Sequence, residues 1–131
     1  VQNIDFAETF LDLAGLDAPE DMQGESFVPL LHGNTPDDWR ESLYYHYYEY
    51  PGIHSVRRHE GVTDGRWKLI RFYGPDVPNG EEFELFDTEK DPSELESVFA
   101  NPENAKVVNR LKNELVQLKK KYKVPEDAPI L

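Results

Sequence analysis

An amphipathic helix near the end of the chain constrains the fold most. Apolar side chains recur at helical spacing and form one stripe, made of Val107, Val108, Leu111, Leu115, Leu118 and Tyr122. Asn101 and Pro102 precede the stripe, and they are residue types favoured at the cap and at the first helical position. A helix with one apolar stripe must bury it, so the preceding chain has to supply an apolar surface.

The preceding segment has the pattern of four antiparallel strands. Residues 43–50, 55–63, 66–74 and 81–87 are rich in β-prone residues, with turn signals between them. Pro51 and Gly52 form one turn signal, and Asp64 and Gly65 predict a tight hairpin. Asp91 and Pro92 are expected to begin a turn into a short helix. The predicted fold class is α+β, a four-stranded antiparallel sheet packed against the C-terminal helix.

Residues 1–40 predict a helix followed by a loop. Apolar residues at helical spacing over 5–14 indicate a short helix that Gly15 ends and that Asn3 or Asp5 could cap. Prolines and glycines then interrupt residues 17–39, where we expect a loop with a single helical turn starting at Ser26. The predicted domain boundary therefore lies between residues 1–40 and 41–131.

The overall charge disfavours two classes of partner. The chain has 14 basic and 26 acidic residues, a net charge of −12, which argues against general binding of nucleic acid or of an anionic membrane. No apolar run has the length of a membrane span. Cysteine is absent, which excludes a disulfide, a thiolate metal site and a cysteine nucleophile within these residues. Because the chain begins at Val1, we expect it to be a piece of a longer protein.

Residues 44–61 concentrate the groups suited to recognising an anion. They hold five of the seven tyrosines and three of the four histidines, together with two adjacent arginines. His54, Arg57, Arg58 and His59 are the candidate binding residues, because guanidinium and imidazole groups can hold sulfate, phosphate or carboxylate oxygens. The alternative interpretation is that the tyrosines pack along a strand and the arginines pair with nearby acids. For these four residues the two interpretations carry about equal weight.

A complete catalytic centre cannot be assembled from the sequence. It contains neither a Gly-X-Ser-X-Gly elbow nor a His-Glu-X-X-His motif, and it has no glycine loop for phosphate. His46, His54 and His59 lack the spacing of metal ligands. We therefore assign no catalytic residue and no metal ligand within the chain.

Four motifs in order resemble the C-terminal portion of a known enzyme family. They are NIDFAETFLDLAGL (3–16), MQGESFVPLLHG (22–33), GRWKLIRFYG (65–74) and ELFDTEKDPSE (84–94). Together they resemble the end of type I, formylglycine-dependent sulfatases of the alkaline-phosphatase-like superfamily. The resemblance implies that residues 1–40 end the catalytic α/β domain. It also implies that residues 41–131 are the small C-terminal subdomain.

The resemblance implies hydrolysis of sulfate esters or sulfamates, with carbohydrates as the expected substrates. In that family a formylglycine made from cysteine or serine attacks sulfur, and a calcium ion holds the sulfate oxygens. The motif that is converted to formylglycine and the motifs that bind calcium are both missing here. They are expected upstream of Val1, and this piece alone should be inactive. Its expected partners are a sulfated substrate, its own N-terminal catalytic domain and, through the apolar side chains of 1–40, another copy of itself.

The resemblance also places the segment from Pro51 to His59 at the mouth of the active site. His54, Arg57, Arg58 and His59 should then face the substrate, with Arg57 or Arg58 contacting a sulfate or carboxylate away from the scissile bond. Two alternatives stay open. One is the tail of a phosphodiesterase or phosphonate hydrolase of the same superfamily, and the other is a freestanding carbohydrate-binding or interaction module. The sequence leaves open the substrate, exo or endo action, and the compartment, with a periplasmic or secreted protein compatible.

Overall fold

The computed structural model describes residues 1–50 and 52–125. The chain divides into two compact units, Val1–Arg40 and Glu41–Leu131, which we call the N-terminal and C-terminal units. The assignment of each unit to a domain of a larger enzyme stays a prediction.

Polar side chains of one helix hold the loop of the N-terminal unit. Helix α1 (Asp5–Leu13) ends before Gly15, whose φ is +70°, and α2 (Val28–Leu31) is a single turn. Three buried side chains of α1 accept loop N–H groups: Asp5 from Glu25 at 3.0 Å, Glu8 from Gly24 at 2.6 Å and Thr9 from Phe27 at 3.0 Å. These bonds satisfy backbone donors that a coil would otherwise leave unpaired.

The expected cap of α1 is absent. Ile4 occupies the cap position, and no side chain accepts a hydrogen bond there. The carboxylate of Asp5 accepts from the backbone of Gln2 and pairs with Arg40 at 2.7 Å instead. Burial would raise the pKa of Asp5, but these hydrogen bonds and the Arg40 charge lower it overall. The apolar side of α1 is exposed, with Phe10 65% accessible in this structure.

The C-terminal unit contains the predicted four-stranded sheet. Strands β1 (Leu43–Tyr47), β2 (His59–Thr63), β3 (Trp67–Tyr73) and β4 (Glu81–Asp87) pair in sequence order, all antiparallel. The α+β prediction is therefore confirmed. Three strands are shorter than expected: β1 ends before residue 48, β2 begins only at 59, and β3 lacks one predicted residue at each end. The loop between them includes Pro51, which lies outside the described residues, so the predicted turn is described only at Gly52.

Helix α3 (Ala105–Lys121) covers one face of the sheet, and we call the opposite side the open face. A short 3-10 turn (Pro102–Asn104) precedes it, and the Asn101 side chain accepts from the N–H of Glu103 at 3.0 Å, as a cap. The core joins sheet and helix residues: Val62, Leu69, Leu85, Val108, Leu111, Leu115 and Leu118. Val107 and Tyr122 of the predicted stripe pack against it partly buried, so the stripe is confirmed.

The short helix expected after Asp91 and Pro92 does not form. Residues 88–101 are turns and bends. Glu94 has φ +52°, a left-handed conformation that an α-helix cannot include. The Asp91 carboxylate accepts from the N–H groups of Leu95 and Glu96 at 2.7 and 2.9 Å. These bonds replace the hydrogen bonds that a helix would have supplied.

Across residues 1–50 and 52–125, no helix combines the length and the apolar character needed to cross a membrane.

Candidate functional site

The candidate residues lie at one end of the sheet. We call it the loop end, where β1 finishes at Tyr47, β2 begins at His59, β3 finishes at Tyr73 and β4 begins at Glu81. The opposite end, with the turn over residues 64–66, is the hairpin end. The long loop from 48 to 58 joins β1 to β2 at the loop end. All four sequence-predicted residues belong to this loop or to the first position of β2.

The structure divides the four candidates between two faces. Side chains along an extended chain alternate, so Arg57 and His59 lie on the open face while Arg58 lies on the helix-covered face. His54 is exposed in the loop, beside Ser55, whose φ is +51°. The four residues therefore do not form a single cluster in this unit.

The two open-face residues already have partners. The Nη1 of Arg57 donates to Glu82 at 2.9 Å, and its guanidinium lies 4.7 Å from the ring centre of Phe72. The ring of His59 stacks on Tyr47 with centroids 5.4 Å apart and planes at 18°, and its Nδ1 lies 2.8 Å from the Arg57 carbonyl oxygen. For Arg57 the alternative interpretation, a pairing with a nearby acid, describes the observed contact.

Arg58 differs, because it is buried without a counter-charge. It is 7% exposed, and across residues 1–50 and 52–125 its guanidinium makes no hydrogen bond or ion pair. Its Cζ, Nη2 and Nε lie 3.8, 3.9 and 4.0 Å from where a Cβ on Gly74 would stand. The flat face of the guanidinium therefore covers this glycine and leaves its N–H edges for other partners. Its low exposure and its lack of an acid partner make Arg58 the best candidate for an anionic ligand.

A buried carboxylate organises the same face one residue further along β2. Glu60 is 1% exposed, and it accepts from Arg71 at 2.8 Å and pairs with Lys119 of α3 at 2.8 Å. Burial would raise the pKa of Glu60, but hydrogen bonds from the two cations lower it overall, so the group is ionised. The cluster ties the sheet to the helix by charge as well as by apolar packing.

A chain of side chains runs from Glu60 to the loop end. The hydroxyl of Tyr44 donates to Glu60 Oε2 at 3.3 Å and lies 2.8 Å from His46 Nδ1. The Nε2 of His46 lies 2.5 Å from the hydroxyl of Tyr73, and Tyr48 stacks over the imidazole at 3.7 Å. Burial lowers the pKa of His46 to about 4, so the imidazole is neutral near pH 7.

Tyr73 brings this chain beside Arg58. The N–H of Tyr73 donates to the Arg58 carbonyl oxygen at 3.3 Å, and the register of β2 with β3 places the two residues opposite each other. Burial raises the pKa of the Tyr73 phenol, while the positive charge of Arg58 acts to lower it. The two backbones are thus paired, while the Tyr73 hydroxyl contacts His46 of β1 and the Arg58 guanidinium covers Gly74 beyond β3.

Sequence reasoning missed Tyr73, His46 and Glu60 as parts of this site. The sequence predicts both Tyr73 and Glu60 only as positions within strands. The signal that could have found them is the alternation of side chains between the two faces of the strands on either side of the predicted turn at 64 and 65. It places positions 58, 60, 71 and 73 on one face.

The chain does not fit the calcium ion that its family resemblance implies. In residues 1–50 and 52–125 no three His, Cys, Asp or Glu side chains are grouped so that they could hold a metal ion. The buried carboxylates of Asp5, Glu60 and Asp87 each pair with arginine instead. No step of a reaction is therefore assigned to a metal held by these residues.

The comparison with known proteins decides the family. Residues 1–121 match the family described as N-sulphoglucosamine sulphohydrolase, C-terminal. The chain belongs to this family. The predicted resemblance to the C-terminal part of sulfatases is confirmed.

This chain corresponds to only a part of each sulfatase that it matches. It is 47% identical over 123 residues to N-acetylglucosamine-6-O-sulfatase of Bacteroides thetaiotaomicron, covering 92% of this chain and 21% of that protein. The structure of BT4656 in complex with its substrate D-glucosamine-2-N,6-O-disulfate is similar with a TM-score of 0.86 and 45% identity. That match covers 93% of this chain and 24% of the other. The chain thus spans about a fifth of the curated relative's length.

A phosphonate hydrolase shares the fold. Phosphonate monoester hydrolase of Agrobacterium radiobacter is similar with a TM-score of 0.70 and 25% identity, over 90% of this chain and 24% of that chain. The likeness to BT4656 is stronger in both identity and TM-score.

Proposed function

We propose that the protein containing this chain is a sulfatase that removes the 6-O-sulfate of a glucosamine derivative. The observation that carries the proposal is the 47% identity to N-acetylglucosamine-6-O-sulfatase across nearly the whole chain. The complex of a 45% identical structure with a 2-N,6-O-disulfated glucosamine supports the same substrate class. Sulfated carbohydrate is therefore the proposed ligand.

In this proposal the chain supplies substrate selectivity rather than the reacting groups. His54, Arg57, Arg58 and His59 face the substrate pocket, and Arg58 carries most of the binding. The support is its burial without a counter-charge, whereas Arg57 is held by Glu82. A guanidinium without an acid partner is available to an anionic oxygen, whereas a paired one must first give up its carboxylate.

The reacting groups are proposed to lie outside residues 1–131. A formylglycine nucleophile and a calcium ion are the chemistry that the resemblance implies, and the residues described here do not fit either. The exposed apolar side of α1 is proposed to pack on the catalytic domain of the same protein. Association with another copy through that side is the alternative for the isolated chain.

The first experiment assays the full-length protein for sulfate release. We expect hydrolysis of N-acetylglucosamine 6-O-sulfate and of D-glucosamine-2-N,6-O-disulfate, with much slower release of alcohol from a phosphonate monoester. Faster hydrolysis of the phosphonate would favour the phosphonate hydrolase alternative, which the Agrobacterium structure makes the second candidate. Release of sulfate from neither sugar would overturn the proposed activity.

The second experiment ranks the four candidate residues. Alanine at Arg58 should lower kcat/KM on the disulfate about 100-fold, since a hydrogen bond to a charged group contributes about 1.5–3 kcal/mol. Alanine at His54, Arg57 or His59 should cost less, roughly 2- to 10-fold, because these groups are exposed or already partnered. Arg110→Ala is the matched control, since Arg110 is an exposed arginine paired with Asp64 at the hairpin end. Four variants with the rate of the control would contradict the proposed role of the loop end.

A further inference from the structure

We propose that a basic groove beside helix α3 is a second glycan-binding site, which holds sugar units of a sulfated oligosaccharide other than the unit that is cleaved. The inference rests on the proposed function, because it takes sulfated carbohydrate as the ligand. It goes further, since it assigns a surface outside the four loop-end residues and predicts tighter binding of long chains than of single sugars.

The groove consists of two adjoining cavities. The first has a volume of about 260 Å³ and lies between α3 and the sheet, and the second, of about 290 Å³, lies along the last turn of α3 and the residues that follow it. Val116 and Lys119 line both cavities, so the two are continuous. We call the combined surface the α3 groove. Its other lining residues include Arg71, Phe83, Lys112, Lys120 and Lys123.

Positive charge dominates the α3 groove although the chain as a whole is acidic. Five lysine or arginine side chains line the groove against the two carboxylates of Glu60 and Glu81, whereas the chain has a net charge of −12. Both carboxylates already pair with Arg71, at 2.8 and 3.0 Å. The groove is therefore a local region of positive potential, which attracts anions.

Three lysines of the α3 groove are left for a ligand. Across residues 1–50 and 52–125, Lys112, Lys120 and Lys123 make no ion pair. The ammonium of Lys112 lies 3.7 Å from the ring centre of Phe83, so contact with the ring limits the positions that this cation takes. An ammonium held against a ring still has N–H groups to donate to sulfate oxygens.

The length of the α3 groove favours a chain of sugars over a single one. Lys112 and Lys120 are eight residues apart in α3, which is about 12 Å along the helix axis. One sugar ring is shorter than this separation, so a ligand that contacts both lysines needs more than one unit. Val116, 48% exposed, lies between them in sequence and offers an apolar surface to the hydrophobic face of a sugar ring.

The α3 groove leads to the loop end of the sheet. Lys119 of the groove pairs with Glu60 at 2.8 Å, and Glu81, which also lines the groove, is the first residue of β4. Glu60 is two positions after Arg58 on the same face. A sulfated chain whose cleaved unit lies at the loop end can therefore continue along α3. This continuity favours a glycan over an acidic protein segment, which would match the charge alone.

The test measures binding of a heparin hexasaccharide to the full-length protein by calorimetry. The wild type should bind the hexasaccharide at least about 10-fold more tightly than D-glucosamine-2-N,6-O-disulfate, because only the longer ligand reaches the α3 groove. The triple variant Lys112→Gln, Lys120→Gln, Lys123→Gln should raise the Kd of the hexasaccharide about 10-fold, since each exposed charge contributes modestly. Salt at about 1 M should remove the difference between the two proteins.

A matched control changes the net charge by the same amount outside the groove. Lys90→Gln, Lys106→Gln, Arg110→Gln removes three exposed cations at the hairpin end, and its Kd for the hexasaccharide should stay within about twofold of wild type. A second variant tests the middle of the groove. Val116→Glu places a carboxylate between the two cavities and should raise the Kd about 5-fold, while Val116→Gln should have little effect.

The outcomes separate this inference from the proposed function. Release of sulfate from neither 6-O-sulfated sugar overturns the proposed function, whereas the Kd of the hexasaccharide is measured without turnover. Equal losses in the groove variant and the control variant would mean that net charge alone sets the affinity, and would overturn the inference. A hexasaccharide bound no more tightly than the single sugar would overturn it as well. Tighter binding of a polyglutamate peptide than of the hexasaccharide would assign the α3 groove to an acidic protein segment instead.

Discussion

Arg58 at the loop end differs from the arginines at the hairpin end. At the hairpin end Arg110 pairs with Asp64 at 2.6 Å and Arg66 pairs with Asp87 at 2.9 Å, and both arginines are about half exposed. At the loop end Arg58 is 7% exposed and has no carboxylate partner among the described residues. The same side chain is thus solvated and paired at one end, and buried and unpaired at the other.

The difference indicates which end serves the fold and which serves a ligand. Exposed pairs cost little to form and contribute little, as expected for charges that close a turn. A buried cation without a partner lowers stability, and such a feature is expected where binding rather than folding sets the requirement. The neighbouring cluster around Glu60 shows that this face can neutralise a buried charge when the fold requires it.

The largest expected loss of stability is at Glu60, the buried charge that does have partners. Glu60→Gln leaves Arg71 and Lys119 without their common carboxylate, and removing one partner of a buried cluster costs about 3 kcal/mol. Native-state hydrogen exchange of the β2 and β3 amides gives the free energy of opening of this unit. Glu96→Gln, at an exposed residue, is the control. A loss under about 1 kcal/mol would mean that Glu60 is not the charge that binds helix to sheet.

The next prediction concerns the pH dependence of stability, which should differ between the two ends because different groups titrate there. Between pH 6.5 and about 4 an unfolded His46 binds a proton that the folded protein excludes, so stability should fall as the pH drops through this range. The difference between wild type and His46→Gln isolates this slope from the other histidines. Equal slopes for the two proteins would contradict a neutral His46.

At the hairpin end the same reasoning predicts that stability is lost over a lower pH range. Asp64 and Asp87 have pKa values lowered from an ordinary 3.8, Asp64 by hydrogen bonds that outweigh its burial and Asp87 chiefly by its bond from Arg66. Their contribution to stability is present above pH 3.8 and is lost only as the pH falls further. The loop end should therefore respond to acid before the hairpin end does.

The regular elements were predictable because their signals are local. The stripe over 107–122 requires only helical spacing, and the turn at Asp64 and Gly65 requires only two adjacent residues. The short helix after Asp91 was predicted wrongly, because the left-handed Glu94 is set by backbone contacts that the local pattern does not contain. The strand ends were placed too far into the loop at residues 48–58 for the same reason.

The candidate site was only partly predictable. Composition pointed to Arg57 and Arg58 together, but which of them is buried depends on the strand register that puts them on opposite faces. The contact between His46 and Tyr73 joins strands that are not neighbours in the sheet, so no local pattern encodes it. Whether all four predicted residues face a substrate stays a prediction.

A smaller effect is expected at the hairpin turn. Asp64 accepts from the N–H groups of Arg66 and Trp67 at 3.1 and 2.7 Å, so Asp64→Ala should cost about 1–2 kcal/mol in the opening free energy of β2 and β3. Its kcat/KM should stay within about twofold of wild type, because the turn is at the end away from Arg58. A large loss of activity with little loss of stability would reverse the roles assigned to the two ends.

The smallest effect is expected for the exposed arginine itself. Arg110→Ala removes a surface ion pair, which contributes about 0.5 kcal/mol, and should leave kcat/KM unchanged. Raising the salt concentration should weaken this pair in the wild type and reduce the difference between the two proteins further. A loss above about 1.5 kcal/mol would show that the hairpin end depends on this charge.

The central claim is that Arg58 is buried for a ligand and not for the fold. The most direct measurement is kcat/KM of the full-length Arg58→Met protein on D-glucosamine-2-N,6-O-disulfate, because methionine fills the same space without the charge. We predict a fall of about 100-fold in a protein whose Tm is unchanged or raised. A kcat/KM within twofold of wild type would contradict the account.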